Sequence, residues 1–169
     1  LAEQIFIARK EGIDMQFDYN EIVDFFMNED NGYFKSYSTI AQDPKTINEM
    51  NRYYSPDIKI ATYFPMLIVV DREQFLRISS SHPGIQETLL PEHIAVDEKQ
   101  GLVGVLLNAK FAIKNTGEII EQMFTAHYKL TRDENDELKI INLWIFAEYV
   151  PPGKQNIVDL YEDAFKAAL

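Results

Sequence analysis

The sequence contains no cysteine. That absence removes disulfides, thiolate nucleophiles and thiolate metal sites together, and leaves the redox compartment open. Histidine is scarce. His82, His93 and His127 lie far apart, and no His-x-His or His-x-x-x-His pair occurs, so no metal site is expected. Positive charge is also short: 16 Lys and Arg stand against 27 Asp and Glu, for a net charge of −11. So acidic a chain repels phosphate backbones, which argues against DNA or RNA as a partner. Long apolar runs are missing too. A membrane helix needs ~18–20 apolar residues, whereas the stretch Ile140 to Ile145 already holds Asn142. No membrane partner is expected. The apolar patch Ile5-Phe6-Ile7 is too short and too closely flanked by charge for an intact signal peptide. The expected compartment is the cytoplasm, unless a leader is cleaved upstream.

What is present fits one domain with a sizeable core: 169 residues, 46% hydrophobic and 25% charged. Residues 1–17 read as an extension, with Gly12 ending a first short element. Asp18-Tyr19-Asn20-Glu21 then has the form of a capping box. Behind it Ile22, Phe25, Phe26, Phe34, Tyr37 and Ile40 fall on one helical stripe, bent or broken at Asn31-Gly32. Asp43-Pro44 opens another helical run, with Ile47, Met50 and Tyr54 at helical spacing and Pro56 ending it. Residues 58–64 and 67–70 read as strands. Asp71-Arg72-Glu73-Gln74 caps a helix carrying Phe75, Leu76 and Ile78, which His82-Pro83-Gly84 stops.

From residue 85 the period changes to two. Four extended stretches, about 85–97, 102–114, 118–132 and 138–150, are separated by short polar turns, so neighbours are expected to pair as antiparallel hairpins. Strands this long twist and coil. One face of such a sheet must wrap around something, and the preceding helices are the available filling. Pro151-Pro152-Gly153 ends the meander, and residues 151–169 hold a last amphipathic helix with Ile157, Leu160, Tyr161, Ala164 and Phe165.

Alternation separates the two faces. In the second long strand Val103, Val105, Leu107, Ala109, Phe111 and Ile113 form an apolar set. In the third, Ile120, Gln122, Phe124, Ala126, Tyr128 and Leu130 are the more apolar set, which leaves His127 outside. The last strand is apolar on both faces: Leu138, Ile140, Asn142, Trp144 and Phe146 on one, Ile141, Leu143 and Ile145 on the other. An antiparallel sheet normally wets one face. Two apolar faces predict that the convex side is covered, and a homodimer through that side is expected.

This order of elements resembles the nuclear-transport-factor-2-like superfamily, which includes SnoaL-like polyketide cyclases, ketosteroid isomerases and scytalone dehydratase. The resemblance spans roughly residues 18–150. Its anchors are Asp43-Pro44, the segment Tyr53-Tyr54-Ser55-Pro56-Asp57-Ile58, the helix opened by Asp71-Arg72-Glu73, and the hairpin from Tyr128-Lys129-Leu130-Thr131-Arg132-Asp133 to Leu138-Lys139-Ile140. It implies an α+β fold in which a curved antiparallel sheet, four meander strands plus short N-terminal strands, forms a cone around N-terminal helices, with a C-terminal helix added. The fold hosts enzymes and binding modules alike. Ketosteroid isomerases hold a carboxylate base at the end of the first strand and a protonated acid on a late strand. The matching places here are Ala61, Thr62 or Tyr63, and Ala126, none of them acidic. Isomerase chemistry of that kind has no proton carrier at those positions.

The three histidines read as structural or surface residues. Gln122, Tyr128 and Asn142 are polar groups on faces assigned inward, with Trp144 as their large neighbour, and such groups orient ligands in apolar pockets. Tyr54 and Tyr63 are candidates for the pocket mouth, whereas Tyr33 and Tyr37 are expected to pack helix against sheet. Glu148 shares the parity of Trp144 but falls at the strand end, where a rim position in water is expected. The sequence thus points to a small, largely apolar ligand bound in a conical pocket by Tyr54, Tyr63, Gln122, Tyr128, Asn142 and Trp144. The chemistry would be that of a cofactor-free lyase, isomerase or cyclase, with no catalytic residue identified. The other reading is a non-catalytic dimerisation or interaction module whose cone is filled by its own side chains.

Overall fold

The computed structural model describes residues 17–63, 67–82, 84–157, 159 and 161. The expected N-terminal element ending at Gly12, together with Phe64, Pro83, Leu160, Ala164 and Phe165, lies outside these residues.

Two helices open the described chain, α1 (Tyr19–Met27) and α2 (Tyr33–Ile40). Asp18 caps α1 by accepting from the Glu21 amide at 3.0 Å. The Glu21 carboxylate turns away to pair with Arg132 at 2.5 Å. Ile22 and Phe26, one turn apart, are the residues α1 buries. Asn28 then folds the link back, its Oδ1 accepting from the Asp30 and Asn31 amides at 3.0 and 3.1 Å. Gly32 is required there, because a Cβ would lie 2.5 Å from the Asn28 nitrogen. After α2 the Asp43-Pro44 signal yields only a 3-10 helix, Ile47–Arg52. Tyr54 does not continue it but begins strand β1 (Tyr54–Tyr63), and Pro56 lies within that strand instead of ending a helix.

Strand β2 (Leu67–Val70) folds back on β1, and α3 (Arg72–Ser80) follows. Its cap is reciprocal: Asp71 accepts from the Gln74 amide at 2.8 Å, and the Gln74 side chain accepts from the Asp71 amide at 3.0 Å. The four long strands are β3 (Ile85–Asp97), β4 (Leu102–Ile113), β5 (Ile119–Arg132) and β6 (Leu138–Ala147). They form one curved, unclosed sheet in the order β2-β1-β6-β5-β4-β3. All neighbours are antiparallel except β1 and β6, which pair in parallel. The helices fill the concave side, as expected.

The inward sets of β4 and β5 are the ones that alternation picks out: Val103, Val105, Leu107, Ala109 and Phe111, then Ile120 through Leu130 by twos, are all buried. Strand β6 departs from its expected parity. Leu130 pairs with Ile140 but Lys129 with Asn142, so Ile141 is an extra residue. Such a bulge exchanges the two faces of everything beyond it. Leu143 and Ile145 therefore face the cone, while Asn142, Trp144 and Phe146 share the outer face with Lys129, His127 and Thr125.

Candidate functional site

Between α2, α3 and the concave sheet an apolar cavity of about 90 Å³ remains. Leu107, Phe111, Phe124, Ala126, Leu143 and Ile145 give it a hydrocarbon floor. Polar groups reach it at few points. Glu87 enters from β3, Thr62 from the end of β1, and Tyr128 from β5. Tyr33, Tyr37 and Ser79 come from the helices, and Tyr161 from the C-terminal segment.

Glu87 is the one carboxyl on the cavity wall among the described residues. Its Oε2 accepts from the Tyr161 hydroxyl at 3.1 Å. Burial raises its pKa from the ordinary 4.5 to about 7, and the hydrogen bond from Tyr161 offsets only part of that rise. Burial likewise pushes the phenols of Tyr33, Tyr37, Tyr128 and Tyr161 up, so they stay protonated donors. Near neutral pH Glu87 is therefore the wall group that exchanges a proton.

The hydroxyls fall into two kinds. Tyr33 and Tyr54 share a hydrogen bond of 2.9 Å, and Tyr37 pairs with Ser79 at 3.0 Å. These are satisfied internally. Thr62 Oγ1 is buried with no hydrogen-bond partner among the described residues. Tyr128 lines the same cavity, its ring packed against Phe26 and Tyr33 at centroid distances of 4.8 and 5.6 Å. Both project from the sheet wall toward the space that Glu87 borders. Buried polar groups left without partners are uncommon and costly.

Of the six residues singled out in the sequence, Tyr128 lines the cavity. Tyr54 is buried one layer behind it, bonded to Tyr33. Gln122 is buried but taken up by backbone: its Oε1 accepts from the Ile157 amide at 3.1 Å, and its Nε2 donates to the Glu148 carbonyl at 3.3 Å. Asn142 and Trp144 are on the outer face because of the bulge in β6, which corrects their inward assignment. Tyr63 is on that face as well, stacked on Phe146 at 4.5 Å and 8°. Glu148 is exposed and His127 lies outside, as expected. His82 is less exposed than its turn suggests, with its ring 4.5 Å from that of Tyr161. Tyr33 and Tyr37, assigned to packing, do pack but also wall the cavity.

Glu87 is the functional candidate that the sequence reading passed over. Its signal was present: Ile85, Glu87 and Leu89 share one parity at the start of β3, an acid set into an apolar face. A second, more open groove of about 440 Å³ lies beside Glu21, Arg52 and Lys139. Its cations are engaged already, Arg52 by Ser36 and Tyr53, Lys139 by Asp133 and Glu137. Among the described residues no three His, Asp or Glu side chains gather as metal ligands, and no helix is long and apolar enough to cross a membrane.

Solved structures of other proteins share this architecture. AusH from Aspergillus nidulans superposes with a TM-score of 0.63 at 10% identity, covering 84% of this chain and 95% of its own. ActVI-ORFA from Streptomyces coelicolor gives 0.58 at 12% identity, over 78% and 98%. A candidate polyketide cyclase from Xanthomonas campestris gives 0.52 at 10% identity, over 78% and 90%. Others are described as NTF2-like or ketosteroid isomerase-like. No protein-family model and no curated protein matches the chain. At such identities the likeness establishes the fold and leaves the activity to be argued from the site.

Proposed function

We propose that this chain binds a small, largely apolar molecule in the cone and moves a proton on it, as a cofactor-free isomerase, cyclase or lyase with Glu87 as acid and base. The observation behind this reading is a carboxyl on an apolar cavity wall, the one there among the described residues, with its pKa raised to about 7 by burial. A general base works best with a pKa near the ambient pH, because both its forms are then populated. Ionised Glu87 would take a proton from a carbon next to a carbonyl, and the neutral acid would return it to another atom, leaving the enzyme unchanged. The Thr62 hydroxyl, buried without a partner among the described residues, and the Tyr128 phenol would receive the carbonyl oxygen as charge develops on it. The candidate polyketide cyclase among the structural neighbours lends the cyclase variant some support.

The carboxyl here comes from β3, so the lack of acids at Thr62 and Ala126 does not remove acid–base chemistry. It removes only the arrangement that the ketosteroid isomerases use. The test is mass spectrometry of molecules that co-purify with the protein, followed by titration of the ligand found into the parent and Tyr128→Phe. The variant should bind about tenfold more weakly while unfolding within ~0.5 kcal/mol of the parent, since phenylalanine keeps the packing of the Tyr128 ring against Phe26 and Tyr33. Equal affinity would remove Tyr128 from the site, and a protein that never retains or binds a ligand would remove the reading.

One observation favours the other reading, a non-catalytic module. The rings of Phe26, Tyr33, Phe34 and Tyr128 interlock across the cone and leave little space. The outer face supports a homodimer under either reading. Tyr63, Leu67, Val69 and Phe146 are 40%, 56%, 53% and 39% exposed on neighbouring strands of one sheet face, a contiguous apolar patch of the kind that marks association sites.

A further inference from the structure

The space left in the cone is too small for a ring. An engineered apolar cavity that admits benzene measures about 150 Å³, against about 90 Å³ here. Among the described residues, one aromatic side chain on the cavity wall comes from neither α2, α3 nor the sheet. The ring of Tyr161 stands on the cavity wall with its hydroxyl on Glu87, flanked by Phe111 at 6.4 Å and His82 at 4.5 Å. Removing a ring frees the room that a ring needs.

We propose that Tyr161 is an internal occupant of the site: its phenol holds the subsite beside Glu87 that a hydroxyl-bearing ring of the ligand takes, and ligand entry displaces it. This inference rests on the ligand-binding reading above and names the ligand's chemical class. Three observations support it. The subsite is already shaped for a phenol, with a carboxyl acceptor at one end and an aromatic flank along the side. The exchange conserves hydrogen bonds, because an incoming hydroxyl replaces the Tyr161 hydroxyl on Glu87, whereas a plain hydrocarbon would leave that carboxyl without its donor. Displacement is also local. The other wall residues named above, Ile157 apart, belong to α2, α3 or the sheet ladders, whereas Tyr161 follows the Pro151-Pro152-Gly153 link. Thr62 and Tyr128 add polar groups from the sheet wall, so the ligand is a ring that carries a hydroxyl for Glu87 and a further oxygen for these two.

The test uses the full chain with phenol and benzene as probes. Tyr161→Ala should bind phenol at least tenfold more tightly than the parent does, and at least tenfold more tightly than it binds benzene. Tyr161→Phe keeps a ring to be displaced but leaves Glu87 without its donor, so phenol should bind it more tightly than the parent while benzene should not. A Tyr161→Ala chain that melts cooperatively yet binds phenol no better than the parent overturns the proposal. Should Tyr161→Ala not fold, the parent labelled with fluorotyrosine decides: saturating phenol should move the Tyr161 resonance to its solvent-exposed position, and an unmoved resonance at saturation overturns the proposal. A co-purified ligand that binds while the Tyr161 resonance stays in place overturns the displacement alone and leaves the ligand-binding cavity standing.

Discussion

Glu87→Gln should make the protein more stable at alkaline pH and leave it unchanged at acid pH. Folding raises the Glu87 pKa from 4.5 to about 7. Between those values the folded chain keeps a proton that the unfolded chain has released. The folded state then binds more protons, so its stability falls as pH rises through that window. The contribution is fully present below the unfolded pKa and lost once the pH passes about 7. At 1.36 kcal/mol per pKa unit the whole effect is about 3 kcal/mol. Glutamine has nearly the same shape, still accepts from the Tyr161 hydroxyl and never ionises. Parent and variant should therefore unfold alike near pH 4, and the variant should lead by about 3 kcal/mol near pH 9. In a chain of this size that is roughly 6–12 °C in melting temperature. Urea or thermal unfolding followed by circular dichroism, with both chains at each pH, measures the difference directly. Glu121 and Asp133, whose pKa values are lowered, act in the opposite sense: they stabilise above their ordinary range and lose that contribution as the pH falls. They are common to both chains and cancel. A difference that stays flat from pH 4 to 9 would refute the reasoning, because it would mean that Glu87 ionises in the fold as easily as in water.

Two further outcomes can be checked on the same material. Asp71→Ala deletes the side-chain half of the α3 cap, the hydrogen bond accepted from the Gln74 amide, and should cost about 1 kcal/mol in urea unfolding; no measurable loss would mean that the Asp71 amide on the Gln74 side chain and the packing of Phe75, Leu76 and Ile78 suffice to hold α3. Phe146→Glu places a charge in the outer apolar patch and should convert a sedimenting dimer to monomer with unchanged circular dichroism; a parent that is monomeric at micromolar concentration ends the dimer reading.

The cone was legible because its determinants are local. Strict alternation from Val103 to Phe111 and from Ile120 to Leu130 gives both period and inward face, and the capping carboxylates Asp18 and Asp71 mark where helices begin. What the sequence hides is non-local. Nothing in residues 54–63 announces that they pair in parallel with β6. Tyr54 falls four residues after Met50, a helical spacing, yet the chain closes a 3-10 turn and leaves for the sheet at that residue. Glu87 could be placed on an apolar face by parity, but only the fold brings Tyr161, some seventy residues on, to cover it.

The misassigned side of β6 carries more consequence than a register error. Alternation started at Leu138 predicts an inward Asn142 and Trp144, and both faces of the strand are apolar enough that no residue objects. A single extra residue, Ile141, reverses the remainder. The physical preference is visible once the cavity is known: Leu143 and Ile145 complete a hydrocarbon floor, whereas Asn142 there would need partners that this floor does not offer. The reversal takes polar recognition away from β6 and leaves it to Glu87, Thr62 and Tyr128. The same reversal sends Trp144 and Phe146 to the face that already bears Tyr63, Leu67 and Val69. The bulge that empties β6 of inward polar groups thus enlarges the outer apolar face, at whose centre Tyr63 and Phe146 stack while 40% and 39% exposed.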